Sequence, residues 1–586
     1  MTPDSNMPTP EDDPNDTGQG RRLKRKRPNI KRRKRVVAAG VSGSVLAIAV
    51  VSLVVAGFPL LNNAGGTPVV VKTTPPPIVV TTPAAPETFP AFERQDYVQP
   101  EVPETATEQV APTTVTVGAE TTGEIMPQGL SGLSLDTDHM VDVQMNPDLS
   151  NLAERLKMAG SPVLRFGGQA ADRRFFWTST DEPIPNWVVA PAYPTDTRPI
   201  IKVTPDVLRN VNRLLEAGDA RILLTADMGH VDAARTADYA KYADEIFGDR
   251  LVGMSFGNEP NGWGPTPNPY YELRSDPSWS FEHYIAEAMP VAQAVVDAVP
   301  NVKIVGPDVY TEGWWKDYVA AGVPNLAALT FHNYPLSVCA PETPDDPQSR
   351  SISNMLSRHT NEASRAYAEA AVAVADTAGL QTWNTETNAS SCGGSSATTK
   401  NHASGLWTLN YALTQASAGV SLLNFHGGLE ACKGGAPMGP LCDTGTVRQP
   451  SGDMAMRPGF YGMMMTNKLG SGDFLRAESA GSENIYAYPV KHADGTMSVM
   501  VVNQNDPMAQ APAEITLTLP TQAATGTMTQ MSGASFESED TTRIDGLETN
   551  GEPLETQGKI PGFNAGDQKF TIALNSGTAT ILNFTF

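Results

Sequence analysis

The sequence predicts an α/β chain: a (β/α)8 TIM barrel followed by a C-terminal antiparallel β-sandwich. Three observations carry this. From about residue 125 short apolar runs alternate with longer amphipathic ones, the pattern of βα repeats around a parallel sheet. The apolar runs number eight, the count of a closed barrel. After about residue 470 the texture becomes the period-two alternation of "NIYAYPV", "TMSVMVVN", "EITLTL" and "KFTIALNSGTATILNFTF", broken by turn residues.

Before the barrel lie three segments of another kind. Residues 21–35, "RRLKRKRPNIKRRKR", hold eleven Lys or Arg, and the next 23, "VVAAGVSGSVLAIAVVSLVVAGF", hold no charge. That length spans a bilayer as a helix, and basic residues mark the cytoplasmic side. Residues 1–35 are therefore expected to be a cytoplasmic tail, 36–58 a single-pass transmembrane anchor, and everything after it extracellular. The run is longer than a signal-peptide core, so an uncleaved anchor is expected. Residues 59–112, with "VVVKTTPPPIVVTTPAAPETFP", are Pro/Thr-rich without periodicity and read as a disordered, extended stalk.

Residues 1–35 carry eleven basic and five acidic groups, a net +6, so the remainder carries −28 of the whole-chain −22. A strongly acidic outer part argues against nucleic acid as a partner. The four cysteines, Cys339, Cys392, Cys432 and Cys442, all fall in it. An even count in an oxidising compartment points to two disulfides, Cys432 with Cys442 and Cys339 with Cys392, and no C-x-x-C metal pattern is present. No metal or cofactor is called for.

The barrel is placed at residues 113–470 and the sandwich at 471–586, with "APTTVTV" (111–117) as a strand that could pair with the sandwich instead. The expected barrel strands are 132–138, 162–168, 221–227, 251–259, 301–308, 326–334, 380–386 and 420–428. Helical periodicity fills the gaps, as in "EHYIAEAMPVAQAVVDAV" and "NEASRAYAEAAVAVADTAG". In such barrels chemistry sits at the C-terminal ends of the strands. Those ends present Asp138, Gln169, Asp172, Asp227, Asn258, Glu259, His332, Tyr334 and Glu386.

Glu259 follows strand four and Glu386 strand seven, facing each other across the mouth. Two such carboxylates can cleave a glycosidic bond, because an acetal needs a proton on its leaving oxygen and a nucleophile at the anomeric carbon. Glu259 is expected to be the acid and Glu386 the nucleophile, with Tyr334 donating to Glu386 and Asn258 to the sugar 2-hydroxyl.

Several segments then resemble one family. "GNEPN" and the Glu after strand seven are similar to the large barrel clan of retaining glycoside hydrolases. "VLRFGGQAAD", "GNEPN", "FHNY", "ETNASSCGG" and "GLWTLNYAL", in that order, resemble its heparanase and β-glucuronidase family over residues 111–586. The resemblance implies Glu259 as acid/base and Glu386 as nucleophile. It also implies Asn258 on the 2-hydroxyl, Asp138, Gly168 and Gln169 on other hydroxyls, and His332 and Tyr334 as a sixth-strand pair. After the nucleophile the chain departs: animal heparanases are similar in having two glycines there, but preceded by a Tyr where this chain has Cys392. The backbone amides of Gly393 and Gly394 remain as readers of a uronate carboxylate. The expected function is a retaining β-glucuronidase-like hydrolase of extracellular glycans. The alternatives are the same fold acting on a neutral β-glucoside, β-galactoside or arabinoside, and a non-catalytic surface glycan-binding module.

Overall fold

The computed structural model describes residues 108–186, 199–266, 272–338, 346–391, 396–545 and 558–586. The expected tail, anchor and nearly all of the stalk lie outside the described residues, as do Cys339, Cys392, Gly393 and Gly394. No helix among the described residues is long and apolar enough to cross a membrane.

Eight parallel strands close into a barrel in sequence order: Ser131–Asp136, Val163–Gly167, Arg221–Ala226, Leu251–Phe256, Ile304–Val309, Leu326–Asn333, Gln381–Thr387 and Val420–His426. They are called strands one to eight below. The barrel closes through strand eight, which pairs with both strand seven and strand one. A helix follows each strand; His402–Ala416 after strand seven is buried all round, while most of the others turn one face inward. Arg358–Asp376, for example, buries Thr360, Ser364, Ala368, Ala371 and Ala375 at three- and four-residue spacing.

The barrel interior changes character along its axis. Val163, Leu223, Val305, Ala328, Trp383 and Leu422 form a buried apolar floor. Side chains on one face of a strand recur every second residue, so the next inward positions are Arg165, Thr225, Thr330, Thr385 and Asn424, all fully buried. A polar layer stacked on an apolar floor is costly except where its groups are bonded. The bonds it makes define the site described below.

The C-terminal part is a ten-stranded sheet. The first strand among the described residues, Thr113–Met126, belongs to it, running antiparallel to Gly472–Ala480 and parallel to Ala513–Thr518. The expected two-layer antiparallel sandwich is thus one curled sheet with a parallel pairing. Both of its faces are buried where it meets the barrel. In Met497–Asn503, Met497, Val499 and Val501 enter the sheet's own core, while Met500 and Val502 join the main barrel core. That is why "MSVMVVN" is apolar at nearly every position.

His402 sits on this seam, fully buried, with Nε2 on the Gly577 carbonyl (2.7 Å) and Nδ1 on Thr542 Oγ1 (2.9 Å). Burial pushes its pKa down to about 4, against the Gly577 contact. A depressed histidine contributes stability that is present above its ordinary value of about 6.5 and is lost as the pH falls through about 4. The loss expected across that window is about 3 kcal/mol. Denaturant unfolding at pH 7 and pH 4.5 checks this: His402→Gln should show a smaller drop than the native chain, and an equal drop would exclude His402 as the source.

Among the described residues the expected disulfide Cys432–Cys442 follows strand eight and closes a short loop with a sequence separation of 10.

Candidate active site

Glu259 is placed by a turn that ordinary residues avoid. Strand four ends at Phe256, and Glu259 takes a left-handed conformation, φ 51° and ψ 50°. A non-glycine residue there costs on the order of 1–3 kcal/mol and persists only when its surroundings hold it. They do: its amide donates to the Asp308 carbonyl (2.9 Å), its carbonyl accepts from the Gly262 amide (2.9 Å), and the Trp263 indole donates to the Asn258 carbonyl (2.9 Å). The side chain is left 23% exposed above the mouth, with Oε1 2.9 Å from His332 Nδ1.

Glu386 lies opposite, near the end of strand seven and only 8% exposed. Its Oε1 accepts from the Tyr334 hydroxyl (2.8 Å) and its Oε2 from Arg165 (2.8 Å). One carboxylate oxygen of each glutamate, with a ring nitrogen of His332, falls within a 4.8 Å cluster.

Arg165, from strand two, ties these groups together. It is fully buried, and besides Glu386 it donates to Ser134 Oγ (2.9 Å), Asn258 Oδ1 (2.8 Å) and Asp308 Oδ2 (3.1 Å), and it approaches His332 Nε2 (3.3 Å). A buried guanidinium must be paired, and Asp308 and Glu386 supply two carboxylates for it. Asp308 in turn accepts from Ser255 of strand four (2.7 Å) and from Thr385 of the polar layer (2.7 Å).

Arg165 also fixes how its neighbours present themselves. A guanidinium only donates, so the Asn258 atom facing it is oxygen and the amide nitrogen is the donor left for a ligand. By the same logic His332 Nε2 must offer its lone pair, which puts the ring proton on Nδ1, donating to Glu259 Oε1. Any proton that Glu259 gives away therefore leaves from Oε2.

Burial pushes the Glu386 carboxyl up, but His426, His332, Arg165 and the Tyr334 hydroxyl together outweigh it and hold the group well below the usual carboxylate range. Burial is likewise outweighed at Asp308, by Arg165 first. The Tyr334 phenol is pushed well up by burial and then by the Glu386 charge, so it stays protonated and donating.

The cavity over these groups has a volume of about 1040 Å3. Gln169, Asn258, Glu259, His332, Tyr334 and Glu386 all line it. Asp138 does not. Strand one ends at Asp136, and the 3-10 turn Thr137–Val141 carries Asp138 into full burial, 3.0 Å from Arg174. Asp136 stands at the wall in its place. Gly168, with φ 64°, packs where a side chain would strike the Asp136 carboxylate. Asp172 lines the cavity, but its carboxylate is engaged by backbone amides. Its carboxylate accepts from the amides of Asn258 (2.8 Å), Met228 (2.8 Å) and Gly229 (3.2 Å), lashing strand ends three and four together. Burial, then Asp227, push its pKa up to about 7. Asp227 itself pairs with His230 at 2.9 Å.

Sequence reasoning passed over Arg165, Asp308 and His426. The last two stand at the ends of strands five and eight, where the strand-end rule used elsewhere finds them. Arg165 had a signal too: one cation inside "PVLRFGG", at a position where alternation demands an inward side chain.

No protein-family model and no curated protein sequence matches the chain. Solved structures do. A 4-O-α-L-rhamnosyl-β-D-glucuronidase from Fusarium oxysporum 12S aligns at 17% identity over 80% of this chain and 99% of its own, TM-score 0.61. A family 51 α-L-arabinofuranosidase from Bifidobacterium longum aligns at 13% over 81% and 99%, TM-score 0.56. A family 44 xyloglucanase from Paenibacillus polymyxa aligns at 11% over 81% and 99%, TM-score 0.52. At these identities the likeness establishes the fold, a barrel with an attached β-domain, shared with proteins named as glycoside hydrolases.

Proposed function

We propose that the chain is a retaining glycoside hydrolase that removes a β-linked uronic acid, with Glu259 as acid/base and Glu386 as nucleophile. The observation that carries this is the pair itself: two carboxylates from strands four and seven with oxygens inside a 4.8 Å cluster, one pinned ionised by Arg165 and Tyr334. Carboxylates in retaining enzymes stand about 5–5.5 Å apart, too close for an intervening water.

In the first step Glu386 Oε2 or Oε1 attacks the anomeric carbon while Glu259 Oε2 protonates the departing oxygen. Esterification neutralises Glu386, and Arg165 keeps Asp308 as its counter-charge, so the buried cation is never left unpaired. Glu259, now ionised, then takes a proton from water, which attacks the same carbon and releases Glu386. Asn258 Nδ2 supplies the donor for the 2-hydroxyl.

Gly393 and Gly394 are the proposed readers of the uronate carboxylate. A neutral glycon is the second reading, favoured by Asp136, a carboxylate at the cavity wall that would repel a uronate. Paired aryl glycosides decide between them: the proposal expects the β-glucuronide to be hydrolysed at least about tenfold faster than neutral β-glucoside, β-galactoside or arabinoside, and the reverse order overturns it. Turnover of none of them, nor of a disaccharide with glucuronic acid β-linked to a second pyranose, would favour a non-catalytic glycan-binding module.

The proposal places the barrel outside the cell on the 36–58 anchor, on the strength of the basic run before it. Protease treatment of intact cells should release active barrel, and full protection would contradict this.

A further inference from the structure

Tyr310 stands out among the cavity's side chains because it is 51% exposed, a large ring left in the open beside polar machinery. It follows strand five by one residue, and its position is tied to the acid rather than to the nucleophile. The Asp308 carbonyl two residues before it holds the Glu259 amide, and the Tyr310 hydroxyl lies over Gly262, in the turn that carries Glu259. A Cβ at Gly262 would sit 2.7 Å from that hydroxyl, so the glycine leaves room for the phenol over the turn. Burial and then the Glu259 charge raise the phenol's pKa, which marks its nearness to that carboxylate.

The group bonded to the oxygen that Glu259 protonates must lie beside the Glu259 turn. We infer that Tyr310 is the platform of a leaving-group subsite that takes the C–H face of a pyranose ring, so that the bond cut joins the glycon to another sugar. A half-exposed aromatic ring on the wall of a cavity far larger than one monosaccharide suits the apolar face of a sugar and offers little to a small polar leaving group.

This rests on the proposed hydrolase, and the test separates the two. β-D-glucuronyl fluoride and a disaccharide with glucuronic acid β-linked to a second pyranose share a glycon, but fluoride departs without a ring for Tyr310 to hold. For Tyr310→Ala the ratio of kcat/KM on the disaccharide to that on the fluoride should fall by about tenfold, and Tyr310→Phe, which keeps the ring, should preserve the ratio. An unaltered ratio in Tyr310→Ala, or an equal fall in both variants, overturns the inference. If the native chain leaves the fluoride untouched, the uronate reading is what fails, and the same pair built on the neutral glycon it does accept reads Tyr310 in the same way.

Discussion

Glu386→Gln is expected to abolish turnover on every substrate, by on the order of 10^4-fold or more, with little change in fold. The amide is isosteric and its oxygen can still accept from Arg165, but it cannot form the glycosyl ester. Glu259→Gln should behave differently. A leaving group that departs as a stable anion needs no proton, whereas a sugar alkoxide does, so the loss should reach about 10^2 to 10^4-fold on sugar leaving groups and be far smaller on nitrophenyl glycosides. Steady-state kinetics of both variants on both substrate classes measure this. Equal losses from the two variants on the two classes would show that the roles are wrongly assigned.

Arg165→Ala is expected to be the most destabilising single change in the site, by about 3–5 kcal/mol, because it strands the Asp308 and Glu386 carboxylates in a buried layer without their cation. Activity should fall with it, since Asn258 and His332 lose the donor that orients them. Arg165→Lys restores charge but not the fork that reaches five partners, so it should recover part of the stability and little of the activity. Denaturant unfolding across pH distinguishes this from a mere packing defect. The stranded carboxylates take up protons as the pH falls, so the gap between Arg165→Ala and the native chain should narrow toward acid. A gap constant with pH would mean that charge pairing is not what Arg165 supplies.

The barrel was legible because buried parallel strands write themselves as apolar runs such as "RILLTAD" and "NVKIVGPD", and each of the eight expected runs overlaps an observed strand. Strand ends were less so. Asp138 was expected at the mouth because alternation was carried two residues too far, past Asp136 into a 3-10 turn whose hydrogen bonds do not show in side-chain pattern. Tyr310 carries no signal in the sequence pattern, because the apolar run of strand five gives out at Asp308 and the strand itself continues to Val309. Arg165 was visible as a residue but not as a hub. Its meaning depends on Asp308, 143 residues away in sequence, and Glu386, 221 away, and only closure of the barrel brings them within bonding distance. The sheet's parallel pairing was hidden for a similar reason, since Thr113–Thr116 and Ile515–Thr518 are joined only in the fold.

In the proposed mechanism Glu386 acts as a nucleophile rather than as a base for water. The stereochemistry of the first-formed product reports this directly. Proton NMR of an aryl β-glucuronide, or of whichever β-glycoside the chain hydrolyses fastest, should show the β-anomer of the free sugar first, with the α-anomer growing in only through mutarotation. An α-anomer appearing first would mean single displacement by water and would contradict the mechanism drawn from the site.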